Sequence, residues 1–340
     1  MKQMKRLLPL LFLMVVAQLA LAQQRPHYTQ YVLNNYILNP ALSGIENYTD
    51  VKMSARKQWV GLEGAPQTFY FSIHGALGKQ DYKTTATSYN LPGENPRGKA
   101  YWENYTASDP HHGIGFFMVN DRTGLYSRFQ ADVSYAYHIG LSPRTNMSAG
   151  FSGGISKLSY DRAKATPVDP NDPALGNGSA LYKMMPDLNA GIWIYSADYF
   201  IGIAAQQLLP QKVSFTGNSE GFQVVTHLFT TAGYRLNVSE DLNFLPSIMV
   251  KYLPSSAVAP QFDINAKAQF RDLFWVGASW RVNEGYAAMV GLNVGNTFNV
   301  GYSYDITTTQ LNTVSRGTHE MVVGFLIGNR YKDTCPRNIW

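Results

Sequence analysis

Ser72 and His74 are the first residues here that could do chemistry together, a hydroxyl nucleophile with a base beside it. Two residues apart on a strand, they project in parallel rather than converge. A working pair also needs a third group to orient the base. The spacing therefore favours a structural pair over a hydrolase. His111 and His112 follow Asp109 in a polar stretch. Adjacent histidines rarely ligate one metal together, so they read as a chance pair in a surface loop. No His/Cys/carboxylate spacing of a metal site occurs. Gly113-Ile114-Gly115 and Gly150-Phe151-Ser152-Gly153-Gly154 lie inside alternating patterns and read as strand glycines rather than phosphate loops. The single cysteine, Cys335, has no partner for an internal disulfide and reads as a thiol in a tail. No catalytic group, cofactor or metal is expected.

The elements that must position these residues are strands. From Gln261 to Asp305, Phe262, Ile264, Ala266, Ala268 and Phe270 alternate with Asp263, Asn265, Lys267 and Gln269. Three further runs follow, around Phe274–Arg281, Tyr286–Val294 and Phe298–Asp305. Each is about eight to ten residues long, enough for a tilted strand to cross the hydrocarbon layer. Alternation places an apolar and a polar face on one strand, as a soluble sandwich also would. The connections decide between them. Arg271-Asp272 and Gly295-Asn296 are tight, whereas Thr307–Gly317 is long and polar, the pattern of an outer-membrane barrel. Inward parity holds Asp132, Asp187, Asp263, Lys267, Arg281 and Glu320, which are expected to form a network in the lumen.

Composition agrees with an all-β reading. Aromatic residues make up 13% of the chain, with 22 Tyr and 29 Gly, while charged residues make up only 15%. No apolar run in the body is long enough for a membrane helix. Residues 1–22 have the basic, apolar and Ala-Leu-Ala parts of a secretory signal, with cleavage expected after Ala22. Without Lys2, Lys5 and Arg6 the basic count falls from 28 to 25 against 23 acidic residues, a net of +2. Nucleic-acid binding thereby loses its support.

The expected architecture is a transmembrane antiparallel up-and-down β-barrel of about fourteen strands over 47–328. A short amino-terminal plug spans 23–46, where aromatic residues mix with asparagines and Pro40 stops any helix. A tail spans 329–340. With both termini periplasmic, the long connections Asp161–Lys183, Pro210–Val224 and Thr307–Gly317 face outside. A long insertion, Gly78–His112, then faces the periplasm.

Several motifs carry a resemblance. Gln30-Tyr31, Asn39-Pro40-Ala41 and Gly44 resemble the amino-terminal signature of the PorP/SprF family. So do Arg56, Gln58, Trp59, Gly61, Gly64 and Pro66 on the first hairpin, with Thr68, and the Cys335-Pro336 tail. The resemblance implies a non-enzymatic outer-membrane barrel of the Bacteroidetes type IX secretion system, serving export of surface proteins such as gliding adhesins. Implied partners are sorting domains of secreted proteins and periplasmic machine components, including a peptidoglycan-binding lipoprotein, besides outer-membrane lipid. The residues themselves have structural readings. Gly61 and Gly64 permit positive φ, and Pro66 blunts a strand start. Trp59 suits an interfacial aromatic belt, and Arg56 could bind the plug's carbonyls. Direct partner contact stays open for this set, as does a gate or docking role for Asn39–Gly44. The rival function is a porin- or FadL-like passive transporter of small solutes or hydrophobic ligands.

Overall fold

A computed structural model describes residues 29–79, 105–161, 180–213, 222–239, 241–254, 258–271, 273–294 and 297–329. The proposed signal, the first residues of the plug, most of the insertion and Cys335 lie outside them. Alternation becomes a closed sheet of fourteen strands. They are β1 (Thr49–Lys57), β2 (Gln67–Leu77), β3 (His111–Thr123), β4 (Tyr126–Ser142), β5 (Thr145–Asp161), β6 (Ala180–Tyr195) and β7 (Tyr199–Gln206). The second half is β8 (His227–Tyr234), β9 (Leu242–Tyr252), β10 (Gln261–Phe270), β11 (Phe274–Arg281), β12 (Gly285–Val294), β13 (Phe298–Thr307) and β14 (Thr318–Ile327). Each strand pairs antiparallel with its sequence neighbours, and β1 pairs with β14 from Thr49↔Ile327 to Lys57↔His319, which leaves no edge.

Period 2 sorts the two faces. On β10, Phe262 and Ile264 are 40% and 43% exposed, while Asp263 and Asn265 are 4% and 2% exposed. The same division runs round the barrel, with Val133, Phe151, Ile203, Val276, Leu292 and Phe325 facing out. An outward apolar band over an inward polar face is what hydrocarbon on one side demands.

Three details differ from the sequence expectation. β6 starts at Ala180, inside the expected connection Asp161–Lys183, so that connection is shorter. Pro186 pairs opposite Ile155, and the β6–β7 ladder begins only at Ala190, although Leu208 N donates to Leu188 O and Gln211 Nε2 to Pro186 O before it. A proline outside that ladder removes no bond from it. The stretch 210–224 contains a small hairpin, Gln211–Val213 with Phe222–Val224, whose Val213 packs on Leu158 and Met185. His111 is not in a loop but opens β3, and its side chain is buried while that of His112 is exposed.

Two rims follow from the topology. The loop rim carries the connections 58–66, 124–125, 162–179, 207–226, 253–260, 282–284 and 308–317. The turn rim carries 78–110 and the shorter turns, together with the start of β1 and the end of β14.

A barrel of this size would leave a wide lumen. Here residues 29–45 lie within it as three short 3-10 turns, Thr29–Leu33, Asn35–Ile37 and Pro40–Leu42. Tyr31, Tyr36, Ile37, Leu42 and Ile45 pack there against inward Tyr70, Phe117, Trp193, Phe229 and Trp275. The path crosses once. Thr29 bonds Glu320 and Asp305 near the loop rim, while the carbonyl of Ile45 accepts from Lys79 at the turn rim. Thr29 and Asn329 are therefore at opposite ends of the barrel. The expectation of both termini on one side does not extend to residue 29, because the chain must cross the lumen before β1 turns back.

Candidate functional site

The loop-rim end is organised by Arg56, the next-to-last residue of β1, whose inward parity buries it to 5% exposure. Its Nη1 donates to Glu320 at 2.7 Å and to the Thr29 hydroxyl at 2.6 Å, and its Nη2 donates to Asp305 at 2.9 Å. Thr29 in turn donates its amide to Glu320 at 2.8 Å and its hydroxyl to Asp305. Arg281 continues the network through Nε to Asp263 at 3.1 Å and Nη2 to the Thr29 hydroxyl at 3.1 Å. Arg56 thus clamps the segment through a hydroxyl and two shared carboxylates, not through main-chain carbonyls as its motif position suggested. Of the inward charges expected to form a network, Asp263, Arg281 and Glu320 meet here.

Gln58, Trp59, Gly61, Gly64 and Pro66 build the hairpin above the clamp. Gln58 N donates to Pro66 O at 2.9 Å, closing the β1–β2 connection. Gly61 and Gly64 have φ of +106° and +70°, a region where a Cβ is strained. Two main-chain bonds, Val60 N to Gly317 O and Arg316 N to Val60 O, join this hairpin to the 308–317 loop. Trp59 was expected in the lipid belt on strand parity. β1 ends at Lys57, however, and a φ of +43° at Trp59 breaks that parity. Trp59 lines a cavity of about 400 Å³ at the loop rim, shared with Arg56, Gln58, Pro66, Arg281 and Glu284. Burial raises the Glu284 carboxyl, opposed by Arg281.

The turn-rim end is organised by shape. The Asn39 side chain accepts from Ala41 N at 2.9 Å, capping Pro40–Leu42, and donates to Ile192 O and Ile203 O. Pro40 stands at the first helical position, where its missing N–H costs nothing. Gly44 has φ of +74°, and a Cβ there would strike Gly113 Cα. Inward glycines of the wall complete the seat. A Cβ on Gly113 would land on the Ser43 carbonyl, on Gly150 against Ala41, and on Gly191 upon the Asn39 amide. Gly115 makes the same room for the Tyr36 hydroxyl. Tyr36 and Ser43 both bond Ser134, and Tyr31 accepts from Asn265 at 2.6 Å.

Ser72 and His74 do not act on each other. The Ser72 hydroxyl accepts from Asn34 at 3.0 Å, and His74 accepts from Gly44 N at 3.4 Å. The predicted residues thus form two groups, Arg56–Pro66 at one rim and Asn39–Gly44 at the other, joined by the segment. Reading the sequence missed Thr29, Asp305, His138 and the glycine seat, and misread His111. The signal available was parity, since Gly113, Gly115, Gly150 and Gly191 all fall on inward positions of neighbouring strands.

A family model described as "Type IX secretion system membrane protein PorP/SprF" matches residues 20–325. No curated protein matches the chain. Among solved structures, the chain is similar to the Ralstonia pickettii toluene transporter TbuX, with a TM-score of 0.49 and 11% identity over 85% of this chain and 92% of that one. It is also similar to Acinetobacter baumannii Omp33, with a TM-score of 0.46 and 8% identity over 84% and 100% of the two chains. For the P. putida toluene transporter TodX the values are 0.46 and 9% over 84% and 92%. Likeness of that degree decides nothing about this chain, whose fold rests on its own strand pairing.

Proposed function

This chain belongs to the PorP/SprF family of type IX secretion system membrane proteins, and on that premise we propose that it is a non-catalytic docking component of export. It binds the sorting domains of secreted proteins, periplasmic machine components such as a peptidoglycan-binding lipoprotein, or both, and so exports or anchors surface proteins such as gliding adhesins. The observation that carries the reading is the placement of Arg56, Gln58, Trp59 and Pro66 around one cavity at the loop rim, above a lumen closed by the chain's own segment. Residues gathered at a rim over a filled barrel suit recognition better than conduction.

Crosslinking in intact cells, followed by mass spectrometry of the purified barrel, tests the proposal. Capture of surface-sorted proteins or periplasmic machine components is expected, and their absence sinks it. The passive-transporter rival predicts steady open conductance in planar bilayers. A silent barrel is expected instead, because residues 29–45 fill the path.

A further inference from the structure

Three imidazoles surround the Ser43–Gly44 turn. Gly44 N points at His74 Nδ1, His138 Nε2 lies 2.8 Å from Ser43 O, and His111 Nε2 lies 3.2 Å from Gly44 O. A neutral ring accounts for His138. Its Nε2–H donates to Ser43 O, and its Nδ1, 3.0 Å from the Tyr195 hydroxyl, accepts from that phenol. His74 likewise needs only an unprotonated Nδ1 to accept from Gly44 N.

His111 is different. Its second nitrogen, Nδ1, lies 2.8 Å from the carbonyl oxygen of Asp109. A carbonyl oxygen can only accept, and a neutral imidazole carries one N–H. Both contacts are hydrogen bonds only when His111 is an imidazolium. The His111 and His138 rings stack at 4.5 Å and 7°. A cation on a neutral aromatic face is attracted, whereas two imidazoliums would repel.

We propose that His111 is a buried proton-binding site whose occupancy latches the Ser43–Gly44 turn, so that seating the lumen segment takes up one proton. The neighbouring groups permit it. From β1, Asp50 pairs with Lys52 at 2.5 Å and stands 3.9 Å from His74 on β2. Lys79, after β2, donates to Ile45 O at 2.7 Å. The segment offers the Tyr36 phenol and buried Glu46, β4 offers His138, β6 offers the Tyr195 phenol, and Asp109, whose main-chain oxygen meets the ring, is itself exposed. Because the seated state binds the extra proton, seating weakens as pH rises through the titration of His111.

The test is hydrogen–deuterium exchange on the full-length barrel in nanodiscs, corrected for intrinsic rates, between about pH 5 and pH 8. Protection of the 42–46 peptide is expected to fall about tenfold across that range, the worth of one charge-assisted bond, while peptides from β10–β13 stay level. His111→Gln retains a donor that does not titrate, so its profile should be flat. His111→Phe should lower protection at every pH. A level wild-type profile, or a slope that survives in His111→Gln, overturns the proposal. Where the variants fail to assemble, nitrogen shifts of histidine-labelled wild-type protein decide. The His111 ring must carry both protons while those of His74 and His138 remain neutral, and a neutral His111 at low pH also overturns it.

Discussion

The two ends of the lumen segment are held by opposite means. At the loop rim Thr29 is gripped by charge, through Arg56, Asp305, Glu320 and Arg281. At the turn rim Ser43 and Gly44 are gripped by shape, pressed onto a wall from which side chains have been removed at Gly113, Gly150 and Gly191. A charge network in low dielectric is unforgiving of a lost partner, but it tolerates a shift of position. A steric seat tolerates loss of any one hydrogen bond but no added atom. The segment is thus tethered at one end and fixed in register at the other.

The comparison is broken most severely by Arg56→Ala. It strips the cation from Asp305 and Glu320, 10% and 0% exposed at their side chains, and leaves buried carboxylates behind. A loss of about 3–5 kcal/mol is expected, read as a lowered midpoint of urea unfolding in micelles. Arg56→Met with Glu320→Gln should recover a large part of it, because the uncompensated charge carries most of the cost. Gly113→Val comes next. Its side chain would occupy the place of the Ser43 carbonyl, so either the barrel strains by about 1–3 kcal/mol or the segment leaves. Departure is the expected outcome, seen as conductance above the parent's level and as faster deuterium exchange over 29–45. Since the two sites lie at opposite rims, their effects on stability should add to within about 0.5 kcal/mol. Strong coupling would show that the ends do not act separately.

The barrel was legible in the sequence because parity is a local property. Phe262 to Phe270 alternates whatever lies beside it, and hydrocarbon on one face makes the alternation obligatory. Asp263, Arg281 and Glu320 could be placed inside by the same reasoning, but not on one another. Asp263 and Arg281 stand opposite each other across the β10–β11 hairpin, but Glu320 joins them only through the closure between β14 and β1, which brings Arg56 opposite it. Trp59 was misplaced because parity was carried past the end of its strand, into a residue of positive φ. His111 was misread because its neighbours Asp109 and Pro110 look like loop. What buries it is Gly44, far off in sequence, and no local pattern reports such a contact.

Smaller changes sharpen the contrast. Asn39→Ala removes the cap on Pro40–Leu42 and two donated bonds to β6 and β7, which should cost about 1 kcal/mol. The glycine seat remains, so conductance should stay at the parent's level while exchange over 39–45 quickens modestly. An open channel in this variant would mean that hydrogen bonds, rather than shape, hold the turn-rim end.

Gly61→Ala probes the rim without touching the clamp. At φ of +106° an alanine is strained by about 1–2 kcal/mol, yet the position is exposed and a Cβ there meets only Val314 O at 3.6 Å and an Arg316 carbon at 3.8 Å. The strain is relieved locally, by moving the 58–66 hairpin away from Gly317 and Arg316 rather than by disturbing Arg56. Barrel stability should therefore change by less than the strain itself, and deuterium exchange over 29–45 should be unaltered. If the hairpin is the recognition element, the yield of crosslinked partner in intact cells falls all the same. Loss of partner with an undisturbed lumen would separate the two jobs of the loop rim. Loss of both together would mean that the charge clamp and the hairpin move as one body.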